Sequence, residues 1–294
     1  MNLELEKYRY RYRPIKGFWF TSFLIEKLRS KSNCLNVTLD LGLSRTTICL
    51  YDQELIIGDF KVYLDDVIPS EEDRVVLYDV EAGSIYEVLR YTENKFYKLK
   101  AIALDKAPTL EISGIHMHRI IDTDPWMDTL SKIKVARIRR GNIVLDTCTG
   151  LGYTSVASLI HGAKSVYTFE IDENVLWVAE RNPWSRRLLD DSIKIYQGDA
   201  TKLVQFIPDS FFHRIIHDPP RFTKSTGDLY SLEFYRELYR VLKPHGFMFH
   251  YTGEPRKHNN LSVIRGVKER LEKAGFKVLG FDEEAQGFTV LKTM

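Results

Sequence analysis

The feature that most constrains this chain is a change of pattern at Gly141, after which strand-like and helix-like segments alternate to the last residue. Apolar runs at 142–147, Ser165–Glu170, Ile193–Gln197, Phe212–His217 and 246–251 have the length and flanks of strands. Between them, 154–160, 173–181 and 229–242 read as helices; the last places Leu232, Tyr235, Leu238, Tyr239 and Leu242 at helical spacing. An amphipathic helix at 262–274 stops at Gly275, and strands at 277–280 and 288–291 close the chain. Alternation of this kind predicts an α/β fold, a mostly parallel sheet with helices on both faces. The closing strands must pair antiparallel, because their link is too short for a parallel crossover.

Residues before this region follow a different pattern. Val37, Leu39, Leu41 and Leu43 are spaced by two, and 47–51 and 55–57 read as further strands. Turns are expected at Tyr51-Asp52-Gln53 and at Thr92–Lys95, the latter between strands at 86–91 and 96–99. A short helix is expected at Ser22–Arg29. The sequence thus divides into a β-rich domain at 1–110, a connecting segment at 111–140 and a catalytic domain at 141–294.

Composition excludes several classes. A 44% hydrophobic and 28% charged chain can build a core, and no apolar run of eighteen residues offers a membrane span. The N-terminal MNLELEKYRYRYR lacks the apolar stretch of a secretory signal. Cys34, Cys49 and Cys148 are widely spaced and odd in number, which argues against a disulfide framework or a CxxC metal site and fits a reducing cytoplasm. Net charge is only +2, but cations cluster at Lys7–Arg13, alternating with tyrosines, and at Lys132, Lys134, Arg137, Arg139 and Arg140. Each cluster is either a solvated face or a contact for an anionic partner such as RNA.

Ligands of open α/β sheets bind beyond the carboxyl ends of the strands, and each strand here ends in a notable residue. The first ends in Asp146, followed by Thr147, Cys148, Thr149, Gly150, Leu151, Gly152, Tyr153 and Thr154. The two glycines permit a tight turn and close backbone approach at a helix start, without the third glycine of a phosphate cradle. Glu170 ends the second strand about twenty residues on, where a carboxylate can accept both hydroxyls of a ribose. Gly198-Asp199-Ala200 ends the third, with a carboxylate placed to accept from an adenine amino group.

In this constellation the chain resembles the class I S-adenosylmethionine-dependent methyltransferases over residues 142–294. Their first motif is matched by DTCTGLGYT, their second by Phe169–Asp172 and their third by Gly198–Ala200; the closing antiparallel pair also fits. The resemblance implies S-adenosyl-L-methionine as cofactor. Asp146, Thr147, Thr149, Gly150, Gly152, Tyr153 and Thr154 would line it, the glycines and Tyr153 along its methionine and ribose part. Glu170 would hold the ribose, Ile171 would pack on adenine, and Asp199 with Ala200 would meet the adenine amino group.

After the fourth strand, Asp218-Pro219-Pro220-Arg221-Phe222 is similar to the [DNS]PP[YFW] motif of methyltransferases that modify planar amino groups. Such an amine is a poor nucleophile because its lone pair is delocalised into the ring. Hydrogen bonds accepted by a carboxylate and by the Pro219 carbonyl would draw the nitrogen towards tetrahedral geometry, and the prolines stiffen the loop. Arg221 stands where the motif has an aromatic residue; its guanidinium can stack on a base, or Phe222 can serve. A rigid strand-end turn that binds cofactor alone is the competing reading. Over the whole length, with Ser113–Arg119 included, the chain resembles archaeal methyltransferases associated with cytidine N4 methylation of small-subunit ribosomal RNA. His116 and His118 form an HxH pair with no third ligand at metal spacing, which reads as packing or cofactor contact. Aminopropyl transfer on the same fold, methylation of a protein or small molecule, and a non-catalytic RNA-binding module are the alternatives.

Overall fold

The computed structural model describes residues 3–30, 33–253 and 260–294. They form two compact units. One holds the residues up to Tyr12 with Asp128–Glu173 and Leu188–Met294; the other holds Arg13–Met127 with Asn174–Arg187.

The first unit is built on seven strands: β1 Ile143–Asp146, β2 Ser165–Glu170, β3 Ile193–Gln197, β4 Phe212–His217, β5 Leu242–Tyr251, β6 Lys277–Asp282 and β7 Gly287–Leu291. Their order is β3-β2-β1-β4-β5-β7-β6. β1 to β5 pair in parallel, and β7 pairs antiparallel with both β5 and β6. This is the mostly parallel α/β sheet that the alternation implies, in the Rossmann-like arrangement that the resemblance to class I methyltransferases implies. After a four-residue helix at Leu3–Glu6, the helices that lead into or connect these strands in the chain are α1 Pro125–Ala136, α2 Tyr153–Ile160, α3 Glu173–Glu180, α4 Ala200–Leu203, α5 Leu232–Val241 and α6 Asn260–Lys273, of which α3 from Asn174 on belongs to the second unit. On α5, Phe234, Tyr235, Leu238 and Val241 are buried and join Leu145, Ile215, Met248 and Val290 of the sheet in one core. Ser231 caps that helix by accepting from the Phe234 amide.

β5 begins four residues earlier than the apolar run suggests. Phe212 pairs with Leu242 and Arg214 with Phe247, so the intervening Lys243–Gly246 bulges outward, with His245 at φ +60°.

The second unit carries three antiparallel sheets. One has the order Gly17–Phe20, Val76–Asp79, Ser84–Glu87, and another joins Asn33–Val37, Thr46–Tyr51, Glu54–Ile57 and Phe60–Tyr63 in sequence. The third has the order Ile115–His116, Thr109–Ile112, Phe96–Lys100, Leu89–Tyr91. The helix at Ser22–Arg29 is present, capped by Thr21. The turn at Asp52-Gln53 has both residues at positive φ, the signature of a tight hairpin.

Four expectations are corrected. The strand through Leu39, Leu41 and Leu43 stops at Val37, because local side-chain hydrogen bonds capture the backbone: Gly42 N donates to Thr38 Oγ1 (2.6 Å) and Ser44 N to Asp40 Oδ1 (2.8 Å). Cys34 and Cys49 form a disulfide, since the hairpin register sets them directly opposite. Cysteine usage therefore gives no argument for a reducing compartment.

The alternating Lys7–Arg13 segment is not a free strand with a basic face. Tyr10 N donates to Ile195 O and Gln197 N to Tyr8 O, Arg9 stacks on the Tyr196 ring, and Tyr12 is buried. These bonds along β3 bring the N-terminal residues into the α/β unit. The compact units are accordingly not contiguous, unlike a division at 110 and 141. Asn174–Arg187 sits in the β-rich unit, where Trp184 Nε1 donates to Leu41 O (2.9 Å) and Trp19 Nε1 to Arg181 O (2.7 Å).

Candidate active site

Asp146, Glu170, Asp199 and Asp218 all stand at or just past the carboxyl ends of β1 to β4. Parallel pairing of these strands brings them to one rim of the sheet.

The turn after β1 depends on its glycines. Gly150 and Gly152 have φ of +54° and +77°, a left-handed backbone that side chains resist. A Cβ on Gly152 would also meet the Leu188 side chain at 2.5 Å. The turn is tied to β2: Gly150 N donates to Glu170 Oε2 (2.9 Å), and Asp172 N donates to Oε1 (3.0 Å). Each Glu170 oxygen thus receives one backbone amide, and a carboxylate oxygen can accept a second donor. Burial pushes the Glu170 pKa up to about 7.

Asp146 is fully buried. Its Oδ2 accepts from Thr154 Oγ1 (2.6 Å) and Ser155 Oγ (2.7 Å), while its Oδ1 has no hydrogen-bond partner among the described residues. Burial raises its pKa to about 7 as well. Thr149 Oγ1 meets Thr168 Oγ1 at 2.7 Å, and Thr147 Oγ1 meets His217 Nδ1 at 2.7 Å. These two threonines brace the loop. Tyr153 is buried in the first turn of α2, whereas Ile171 is a two-thirds exposed apolar side chain beside Glu170. Asp199 caps α4: its Oδ1 accepts from Thr201 N (2.9 Å) and Thr201 Oγ1 (2.7 Å), and Ala200 is buried behind it.

This set fits S-adenosyl-L-methionine. The buried, unpartnered Asp146 oxygen suits a cationic amino group, Glu170 suits vicinal hydroxyls, and Ile171 offers an apolar surface to a purine. All of these residues are candidate cofactor contacts on sequence grounds alone.

The Asp218-Pro219-Pro220 turn rests on a polar scaffold that the sequence did not reveal. Lys132 Nζ, on α1, lies 2.7 Å from Asp218 Oδ2 and 3.0 Å from Asp128 Oδ2, and it sits over the Tyr251 ring at 4.4 Å. Lys132 is 3% exposed. Burial alone would discharge it, but Asp218 and Asp128 outweigh burial and hold its pKa above the usual lysine value. Lys132 is therefore no part of a solvated basic face; the signal available was the Asp128–Lys132 spacing of four on one helix. Tyr230 Oη donates to Pro220 O (2.8 Å), and Arg270 Nε donates to Tyr230 O (2.8 Å). Beneath the turn, His217 Nε2 meets Leu229 O at 2.9 Å, and burial lowers the His217 pKa to about 3, so the ring is neutral. Arg221 is exposed. Phe222 is half exposed, packs edge-on against Tyr230, and lines a cavity of about 230 Å³ with Val263, Gly266 and Arg270.

The HxH pair lies elsewhere, in the β-rich unit. His116 Nε2 meets Glu111 Oε2 at 3.0 Å and His118 Nδ1 meets Thr109 Oγ1 at 3.1 Å. Among the described residues, no group of three His, Cys, Asp or Glu side chains is placed to hold a metal ion.

Fold and strand-end residues together are those of the class I S-adenosylmethionine-dependent methyltransferase fold, with S-adenosyl-L-methionine as cofactor. The chain belongs to the family of "Uncharacterized protein MJ1233" of Methanocaldococcus jannaschii, to which it is 40% identical over 91% of its length and 92% of that protein's. No family model matches it. Polyamine aminopropyltransferase 2 of Aquifex aeolicus is 20% identical over 69% of this chain and 42% of its own. Ribosomal RNA large subunit methyltransferase K/L of Shewanella loihica is 24% identical over 85% of this chain and 36% of its own. Spermidine synthase of Thermotoga maritima superposes with a TM-score of 0.55 at 15% identity, over 98% of this chain and 82% of that one. That likeness is one of fold alone.

Proposed function

We propose that the chain methylates an exocyclic amino nitrogen of a nucleobase in RNA, with N4 of cytidine in small-subunit ribosomal RNA as the acceptor. The observation that carries this reading is the Asp218-Pro219-Pro220 turn after β4, anchored by Lys132 and Tyr230 beside the cofactor-binding strand ends. S-adenosyl-L-methionine supplies the electrophilic methyl group. Asp218 and the Pro219 carbonyl accept the N–H bonds of the acceptor amine and orient its lone pair, which is catalysis by positioning. Lys132 supplies the countercharge that keeps the carboxylate in place near buried neighbours. Phe222 and Arg221, both accessible, flank the acceptor base by stacking. The likeness to a ribosomal RNA methyltransferase supports an RNA acceptor. This reaction places the protein in the cytoplasm, with ribosomal RNA or a ribosomal subunit as partner; no described helix is long and apolar enough to cross a membrane.

Aminopropyl transfer is the second reading, supported by the fold shared with a spermidine synthase. Against it, Asp128 and Asp218, the carboxylates suited to a cationic amine, both already engage the chain's own Lys132. Incubating the protein with methyl-labelled cofactor and ribosomal RNA or ribosomal protein, and in parallel with decarboxylated cofactor labelled in its aminopropyl group and a polyamine, separates these readings. Methyl label retained in RNA supports the proposal; methyl label in protein, aminopropyl label in polyamine, or no label in any acceptor overturns it.

A further inference from the structure

We propose that the amino-end rim of the central sheet, at the opposite end of the strands from the candidate site, docks the phosphate backbone of a folded RNA. This rests on the reading of the chain as an RNA methyltransferase and names the form of its substrate.

Loops before β1, β2 and β4 and the bulge in β5 are knitted together at that rim. Gly141 N donates to Gly162 O (2.8 Å), Lys164 N to Asn142 O (2.7 Å), and Arg214 Nε to Arg137 O (2.9 Å). Ile143 N donates to His213 Nδ1 (3.0 Å), and Lys243 Nζ lies 3.0 Å from His213 Nε2. The result gathers Arg137, Arg139, Arg140, Lys164, Arg214 and Lys243. Segments 137–142, 161–164, 210–214 and 243–246 contain no Asp or Glu. The nearest carboxylate in sequence, Asp209, is engaged by Arg240 at 2.6 Å. Apart from Asp209, in the loop before β4, the acidic residues of these strand-leading loops stand before the outer strand β3, at Asp190 and Asp191.

Among the described residues, none of these six cations is in an ion pair. Arg137 and Arg214 instead both lie over the Phe247 ring, at 4.6 and 5.0 Å. Burial, Arg139 and Arg137 together lower the Arg214 pKa. Like charges gathered without counterions repel one another, a cost that an arriving polyanion removes. The chain carries a net charge of only +2, so the concentration is local. A broad rim across several loops suits a polymer rather than one phosphate.

From His213 to Asp218 is five residues of extended chain, about 16 Å. A mononucleotide cannot touch both ends; a folded RNA can. The substrate is therefore structured RNA, held by its backbone at one end of the sheet and presenting a base at the other.

The test uses the full chain with Arg139→Glu, Arg140→Glu and Lys164→Glu combined, all exposed and outside the candidate site. Binding to a folded small-subunit ribosomal RNA fragment is measured across a salt series. We expect at least a roughly tenfold loss at low salt and a slope of log K against log salt flatter by about 2, since each phosphate contact contributes roughly 0.7–0.9. S-adenosylhomocysteine affinity and the melting temperature stay at wild-type values. If charge reversal perturbs folding, the corresponding Gln triple variant is expected to show the same change at smaller size. RNA affinity and slope equal to wild type overturn the surface. So does unchanged RNA binding with lost binding of polyglutamate, which would make the occupant an acidic protein. Methyl transfer is read separately: lost RNA binding in the variant alongside a wild type that methylates no RNA leaves the surface standing and removes the reaction.

Discussion

Lys132 and Asp218 form an ion pair, Nζ to Oδ2 at 2.7 Å, with the lysine buried and the carboxylate partly exposed, which ties helix α1 to the loop proposed to hold the acceptor amine. Asp128 shares the same ammonium at 3.0 Å and is itself buried. Removing one member of such a cluster strands the others. Lys132→Met should lower stability by about 3–5 kcal/mol. Denaturant unfolding checks the value, and a loss under 1 kcal/mol would mean that the cluster does little to hold this loop. Lys132→Arg, which keeps the charge, should recover a substantial part.

The raised carboxyl groups predict an unusual pH response. Glu170 and Asp146 titrate near 7 when folded, against ordinary values of 4.5 and 3.8. Between those ordinary values and 7, the unfolded chain sheds protons that the folded one retains. Their contribution to stability is thus fully present at low pH and lost as pH rises towards 7. Cofactor binding should pull the other way, because ribose hydroxyls and an amino group favour the ionised carboxylates. S-adenosylhomocysteine affinity should rise from pH 6 to pH 8, by up to about tenfold per unit for each group that titrates. Glu170→Gln should flatten the profile. Calorimetry in two buffers of different ionisation enthalpy should register proton release on binding near pH 7; proton uptake would contradict this.

Gly152 offers a backbone test. Ala there must adopt φ near +77° and push its Cβ against Leu188, so Gly152→Ala should cost about 1–3 kcal/mol and weaken cofactor binding. Gly83, at φ +63° with nothing within 4 Å of a Cβ, is the control. Gly83→Ala should cost about 1 kcal/mol and leave cofactor binding alone. Equal effects of the two on binding would show that the turn after β1 is not in contact with cofactor.

The strand ends were legible because they lie on a contiguous, strongly periodic stretch. Asp146, Glu170, Asp199 and Asp218 each follow an apolar run of strand length, and parallel pairing in the order β3-β2-β1-β4 brings them to one rim. What binds across long separations was not legible. Lys132 reaches a partner 86 residues away, and its place in a basic run suggested a solvated face. The Cys34–Cys49 pairing depends on a hairpin register that spacing alone does not fix, and Leu39 and Leu41 are buried in a loop held by Thr38 and Asp40. Regular alternation there mimicked a strand.

The disulfide can be counted chemically. Under denaturing, non-reducing conditions one thiol, Cys148, should react, and three should react after reduction. Reduction should lower the melting temperature, since the pair closes a loop with a sequence separation of 15, which amounts to about 3 kcal/mol. Three reactive thiols without reductant would contradict the pairing.

The central claim, transfer of a methyl group to an exocyclic amine held by Asp218, is tested most directly by mass spectrometry of nucleosides. The RNA is small-subunit ribosomal RNA treated with methyl-labelled cofactor and either wild type, Asp218→Ala or Asp218→Asn. The account predicts N4-methylated cytidine from the wild type and at least about a hundredfold less from Asp218→Ala, with S-adenosylhomocysteine affinity nearly unchanged. Asp218→Asn, which keeps an oxygen acceptor, should retain partial activity. Label recovered as a ring-carbon or 2′-O-methyl nucleoside, whatever the variants do, would contradict it.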